Sequence, residues 1–243
     1  MMAPGITLVV PYYRNPLMLA RQAAAWADYP PALRVVVVDD GSPEPAVEAL
    51  PARSRAAVYR IDVDIPWNRN GARNLGAHIA ETDWLLMVDI DHVLSPGDAA
   101  RLVGLGLDPF HWYRFRRFRV GRADATRRKD ALPDDAPWGE IKPHVDSYLA
   151  HRALYWSVGG YDEDYSGSLG GSAPFLKKLA AMAPCIELAD VALRVHTRDS
   201  VPDASDLTLS RDRSRYEKLR REKAAAGDPA PQNPLRFPWH RAR

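Results

Sequence analysis

The chain has 243 residues, of which 46% are hydrophobic and 26% charged, and a net charge of only +2. That ordinary globular composition allows one large domain, or one domain with an appendage. No apolar run approaches the roughly 20 residues of a membrane span, no signal-peptide pattern opens the chain, and one cysteine, Cys185, excludes a disulfide framework and a cysteine-rich zinc site; together these features predict a cytoplasmic protein.

Residues 6–10, 35–38 and 84–88 are short, apolar runs, too short for helices and too apolar for strands that face water on one side. Residues 16–28 predict a helix of about three turns, with Leu17, Ala20, Ala24 and Trp26 towards one face. Residues 45–50 and 72–81 read as helices, and 58–63 as a strand. Strands alternating with helices predict an α/β fold with a mostly parallel sheet. Ser95 followed by Pro96 is the start signal of a short helix. Further on, 110–120 reads as a strand mixing aromatics with arginines. The polar stretch 122–137 predicts a mobile loop, able to close over a donor as a lid. Order resumes at 151–160. Residues 174–182 predict a helix, 188–195 a last strand, 211–226 a charged helix, and 227–243 an irregular tail with four prolines.

In parallel sheets ligands sit beyond the carboxyl ends of the strands. Three such ends carry PYYR (11–14), DDGS (39–42) and DID (89–91). Asp89 and Asp91, two apart on an extended stretch, point the same way. Bare carboxylates after an apolar strand need a positive partner, and paired oxygens suit Mg²⁺ or Mn²⁺ with substrate phosphates completing the shell. Alternation turns His92 away from the pair, so His196, at the end of the last strand, is the better additional ligand. Asp40 can accept from a uracil N3–H or ribose hydroxyls, unless Asp40 or Ser42 merely caps a helix starting at Pro43. Tyr12 or Tyr13 can stack on a base. In WNRNGARNLGA (67–77), Gly71 allows close backbone approach, Arg69 and Arg73 can grip phosphates, and the helix N-terminus favours anions.

In this order, ITLVVPYYR, VVVVDDGS, NGARNLGA and LLMVDIDHVL resemble the nucleotide-sugar-binding half of the family-two glycosyltransferases with the GT-A fold. VGGYDEDYSGSLGG (158–171) is similar to that family's acceptor-side motif, so the resemblance covers about residues 5–196. It implies a single GT-A domain with a Rossmann-like sheet flanked by helices: 1–94 as the nucleotide-sugar-binding half, 95–199 as the acceptor-binding half, and 200–243 as a charged C-terminal extension. It also implies a nucleotide-sugar donor (a UDP-sugar favoured), Mn²⁺ or Mg²⁺, and transfer to a hydroxyl acceptor. By the same resemblance, Asp40 contacts the nucleotide base, with Gly41 in its turn and Pro11 and Tyr13 close by. Asp89 and Ile90 lie near ribose and metal, Asp91 holds the metal, and Arg69, Asn70 and Arg73 lie near the diphosphate.

The family's catalytic base follows GGYDE, at the start of the next helix. Here Ser172 and Ala173 occupy that place, and serine is no base at neutral pH without an activator. Asp164 is the leading substitute, ahead of Asp162. A reaction that needs no strong base is another solution, and a chain that only binds nucleotide sugars or glycans a third. The acceptor is open among saccharide, lipid-linked, protein and nucleic-acid hydroxyls. A DNA-modifying glycosyltransferase acting on hydroxylated bases is the minority alternative, and it would account for the aromatic and arginine mixture HWYRFRRFR (111–119) and the basic run 211–223. A nucleotidyltransferase would need a glycine-rich loop with lysine after the first strand, and PYYRNP is not one.

Overall fold

The computed structural model describes residues 5–120, 138–205, 209–231 and 233–243; the lid expected at 122–137 lies outside the described residues. In chain order the elements are β1 (Ile6–Tyr12), α1 (Pro16–Trp26), β2 (Leu33–Asp39), α2 (Ala46–Ala49), β3 (Ala57–Ile61), α3 (Arg69–Ile79), β4 (Trp84–Met87), β5 (His92–Leu94) and α4 (Pro96–Val103). Then follow β6 (Trp112–Val120), β7 (Trp138–Ile141), β8 (Tyr148–His151), α5 (Arg152–Ser157), a 3-10 turn (Glu163–Tyr165), α6 (Ser172–Met182), β9 (Cys185–His196), α7 (Ser214–Ala225) and β10 (Trp239–Arg241).

Strands β1 and β4 are buried at every position, and β2 everywhere except Arg34. A strand apolar on both faces belongs mid-sheet with helices above and below. The order is β10-β3-β2-β1-β4-β8-β6-β9-β5, with β7 beside β6. β3, β2, β1 and β4 run parallel; β8 is antiparallel to β4. Alternation then divides the core in two. Ile6, Leu8, Val10 and Tyr12 pack with Leu19 and Trp26 of α1 and Leu102 of α4. Val9, Val36 and Val38 pack on the other face with Leu75 of α3, Tyr155 of α5 and Phe175 of α6. Each fully buried valine or leucine in these layers is worth about 1.5–3 kcal/mol relative to exposure.

The buried face of α1 differs from the expected one. It consists of Met18, Leu19, Gln22, Ala23 and Trp26, while Leu17 is exposed. Gln22 can be buried because its amide is satisfied: Nε2 donates to the carbonyls of Ile90 (3.0 Å) and His92 (2.8 Å), and Oε1 accepts from Trp26 Nε1 (3.2 Å). A polar side chain thus anchors the DID turn to α1, which apolar periodicity cannot register. The cap of α1 is non-local as well. Asp203 accepts from the free N–H groups of Leu17 (2.7 Å) and Met18 (2.9 Å), satisfying donors that no helix pairs internally.

The tail is more ordered than expected. β10 pairs antiparallel with β3, and Trp239 packs edge-on against Tyr59 at 6.0 Å. A three-residue strand is too short for any periodicity to announce. α3 starts at Arg69 rather than near residue 72, so NRNG forms its first turn. Among the described residues, no helix is long and apolar enough to cross a membrane.

Candidate active site

The carboxyl ends of β1, β2 and β4 open onto one cavity of about 310 Å³. Pro11, Tyr12, Tyr13 and Asn15 come from the end of β1, Asp40 from β2, and Trp67 and Arg69 from the entry to α3. Asp89, Ile90 and Asp91 follow β4. His144 and Leu169 form another wall, and Ala204, Ser205, Leu209 and Arg211 close the far side.

The DDGS turn divides its labour. Asp39 does the capping: its carboxylate accepts from Ser42 N (2.8 Å), Ala46 N (2.9 Å) and Arg60 (2.7 Å). Asp40 is 3% exposed, lines the cavity, and its Oδ1 has no hydrogen-bond partner among the described residues. Burial pushes the Asp40 carboxyl up to about 8, against the Asn68 side chain, with Asp39 adding to the rise and Arg69 and Arg73 opposing it. The helix-cap alternative for Asp40 therefore falls to its neighbour. Gly41, at φ +69, is required by the fold instead of lining the cavity: a Cβ there would lie 2.1 Å from the Val63 carbonyl oxygen.

The two acids of DID are held differently. Asp89 pairs with Arg73, and its other oxygen lies 3.4 Å from His144 Nδ1. Burial acts to raise its pKa; Arg73, then His144 and Arg69, outweigh burial and hold the carboxyl well below the usual range. Asp91 stands at the cavity wall with His92 Nδ1 2.7 Å from its Oδ1. His92 thus does not point away from the pair as strict alternation predicts, because the turn at 90–91 interrupts the strand. One oxygen each of Asp89 and Asp91 and a nitrogen of His92 lie within 4.8 Å of one another, as do those of Asp89, His144 and Asp146. That donor set, dominated by oxygen, fits a hard divalent ion such as Mn²⁺ or Mg²⁺.

Several expected residues are placed elsewhere. Arg73 is fully buried between Asp89 and Asp146 (3.4 Å) and over the Tyr161 ring, so it does not line the cavity. Its charge is already committed; Arg69 does line the wall. Asn70 donates to the Asp162 carbonyl (3.0 Å), tying α3 to the GGYDE segment. His196 belongs to neither acid–histidine group; its backbone N–H donates to the Asp91 carbonyl (2.9 Å) and its ring meets Ser200 Oγ at 3.1 Å.

Asp164 is a poor base. Its carboxylate pairs with Lys223 at 2.6 Å and Arg236 at 2.7 Å, and it does not line the cavity. Hydrogen bonding to Lys223 first, with Arg236 adding, lowers its pKa against the effect of burial. Asp162 shares the same Lys223 at 2.7 Å, and Glu163 accepts from Asn74 and from the backbone of Leu235 and Arg236. The GGYDED acids hold the C-terminal segment in place. Asp164→Asn is expected to leave any turnover within about twofold and cost at most about 1 kcal/mol, the range of an exposed pair; nucleoside-diphosphate release and a denaturant melt measure the two.

The arginines of β6 are largely engaged. Arg116 pairs with Glu140 (2.8 Å), Arg114 lies over Trp112, and Arg117 is buried on His92 and the Lys142 carbonyl. On α7, Glu217 and Glu222 answer Arg213, Lys218 and Arg220.

A family model described as Glycosyl transferase family 2 matches residues 7–165. The chain belongs to that family. No curated protein matches its sequence, but solved glycosyltransferases share its fold. The mannosyltransferase PcManGT from Pyrobaculum calidifontis, in complex with GDP-Man and Mn²⁺, superposes with a TM-score of 0.60 at 16% identity, over 96% of this chain and 66% of that one. S. aureus TarS 1–349 with UDP-GlcNAc gives 0.58 at 18% identity, over 83% and 62%. GalNAc-T7 with UDP, GalNAc and Mn²⁺ gives 0.57 at 14%, over 91% and 54%. At these identities the likeness shows the fold, a single GT-A α/β domain with a mixed sheet and a mostly parallel core. The chain spans 54–66% of the length of these three proteins.

Trp67, His144, Leu169 and the wall at 204–205 and 209–211 were not among the expected site residues. Trp67 sits inside a stretch read for its arginines. His144 follows a polar loop with no periodic signal, and Arg211 lay in a run read as helix surface.

Proposed function

We propose that this family member binds a nucleoside-diphosphate sugar, a UDP-sugar favoured, with a divalent metal ion, and transfers the sugar to a hydroxyl acceptor. One observation carries the reading: a buried carboxylate with an unpartnered oxygen and a pair of acids share a single cavity with two arginines. Asp40 Oδ1 is an acceptor awaiting a donor, which a uracil N3–H supplies. Tyr13, held by its hydroxyl on Asp64 at 2.9 Å, stands beside it as a stacking wall. Asp91 and Asp89 would hold the metal, which when bound neutralises the diphosphate as it leaves. Arg69 and Arg211 complete the charge balance for the phosphates.

A nucleotide-binding chain without turnover is the second reading, and Ser172 favours it. Ser172 opens α6 with a buried Oγ, unpartnered among the described residues, where the family's acid belongs. Among the described residues, the acids lining the cavity are Asp40, Asp89 and Asp91, all assigned here to donor and metal. Calorimetry with UDP, GDP, CDP and dTDP, with and without Mn²⁺, tests binding; release of nucleoside diphosphate from a panel of nucleotide sugars decides between the readings. Arg211→Ala is expected to weaken UDP binding about tenfold, the loss of one charge-assisted contact, and to leave uridine binding unchanged. Equal loss for both would remove Arg211 from the phosphates.

A further inference from the structure

Resting on the metal reading of Asp91, we infer that Arg117 and His92 form a positioning relay that presents Asp91 to the metal ion, His92 itself not being a ligand. Arg117 NH1 lies 2.6 Å from His92 Nε2. A guanidinium only donates, so Nε2 supplies the lone pair and the ring proton sits on Nδ1. Nδ1–H then donates to Asp91 Oδ1 at 2.7 Å. Both ring nitrogens are occupied, and a lone pair held by an arginine N–H is not available to a cation. His92 is 2% exposed and Arg117 8%, so water does not compete for either bond.

The relay also joins two walls of the cavity. Arg117 Nε donates to the Lys142 carbonyl at 2.9 Å, and its NH2 donates to the same oxygen. Lys142 lies two residues before His144, whose ring packs on His92 at 5.1 Å between centroids. Gln22 holds the His92 carbonyl at 2.8 Å from the other side. One oxygen of Asp91 is thereby fixed on the imidazole, and the other is left for the ion. A carboxylate fixed in this way loses less freedom when it binds a cation, which is why hydrogen bonds behind metal ligands matter to affinity. The basic strand HWYRFRRFR thus acquires a role at the donor site through one residue.

The test is Mn²⁺ binding to the full chain with saturating UDP, reading free Mn²⁺ by electron paramagnetic resonance. His92→Gln, which cannot place a donor at the Nδ1 position, is expected to weaken Mn²⁺ binding about 10–100-fold. His92→Asn, whose amide nitrogen takes the place of Nδ1, is expected to stay near wild type. Arg117→Met, which frees the other tautomer, is expected to fall between them. UDP affinity without metal is expected to be unchanged in all three. Wild-type Mn²⁺ affinity in both His92→Gln and Arg117→Met overturns the relay and leaves the metal reading intact. Should one variant fail to fold, the other decides. A wild-type chain that takes up no Mn²⁺ with UDP overturns the metal reading, and the relay with it.

Discussion

Replacing Asp91 with alanine is expected to abolish the Mn²⁺ dependence of nucleoside-diphosphate binding and to lower any turnover about a thousandfold. The size follows from the work a divalent ion does at a leaving diphosphate, several kcal/mol of charge stabilisation, at about 1.4 kcal/mol for each factor of ten. Metal-free binding should survive, because Asp40, Tyr13, Arg69 and Arg211 line the cavity independently of Asp91. The fold should survive too: the side chain of Asp91 is part-exposed, and its one close partner among the described residues is the neighbouring His92. Asp89→Ala is the instructive contrast. It leaves Arg73 with no exposed surface and, among the described residues, Asp146 as the one acid paired with it, and removing one partner of a buried pair costs about 3–5 kcal/mol. If Asp91→Ala retained Mn²⁺-dependent UDP binding in calorimetry, the metal would have to be held elsewhere.

The parts legible in the sequence were those whose signal is local. β1, β2 and β4 announce themselves because a strand covered on both faces has no polar alternation to hide it. The strand-end motifs followed from topology, since parallel strands bring their carboxyl ends to one edge. Pro11, Tyr13, Asp40, Arg69, Asp89, Ile90 and Asp91 accordingly meet in one cavity. What stayed hidden depends on partners distant in sequence. Asp203 caps α1 from 186 residues away, and Gln22 is buried only because two carbonyls of the DID turn await it. Arg73 looked like a phosphate ligand because nothing local reveals that Asp146 and Asp89 enclose it. Asp164 looked like a base because nothing local reveals that Lys223, on the charged helix, and Arg236, in the stretch expected to be irregular, reach it from far along the chain. The far wall of the cavity, at Ala204, Ser205, Leu209 and Arg211, is held by the same long-range bonds: Asp203 on α1, and the Ser210 carbonyl accepting from Trp67 Nε1 at 2.6 Å.

Asp39 and Asp40 adjoin in the chain, and their replacements are expected to act in opposite ways. Asp39→Ala strands the N–H groups of Ser42 and Ala46 and one charge-assisted bond of Arg60. The expected loss is about 3 kcal/mol, the low end for a broken buried pair, because Arg60 is part-exposed and keeps the Ser42 carbonyl at 2.9 Å. For a chain of this size that lowers Tm by roughly 6–12 °C. Asp40→Ala removes a carboxylate whose Oδ1 has no partner in the free protein, so the apo protein should melt no lower than wild type near pH 8. The sign follows from linkage. The folded-state carboxyl titrates at about 8 and the unfolded one near 3.8. Between these values the folded chain holds a proton that the unfolded chain has released, so this group makes stability fall as pH rises through that window. Asp40→Ala should flatten that slope. Its cost appears with ligand: below pH 8 the lost partner is a protonated carboxyl, and loss of such a neutral hydrogen bond, about 0.5–1.5 kcal/mol, weakens UDP binding roughly 2–12-fold. Paired melts of the two variants from pH 4 to 9, with and without UDP, separate the roles. A destabilised apo Asp40→Ala with unaltered UDP affinity would return Asp40 to the scaffold and leave the base-recognition site without its acceptor.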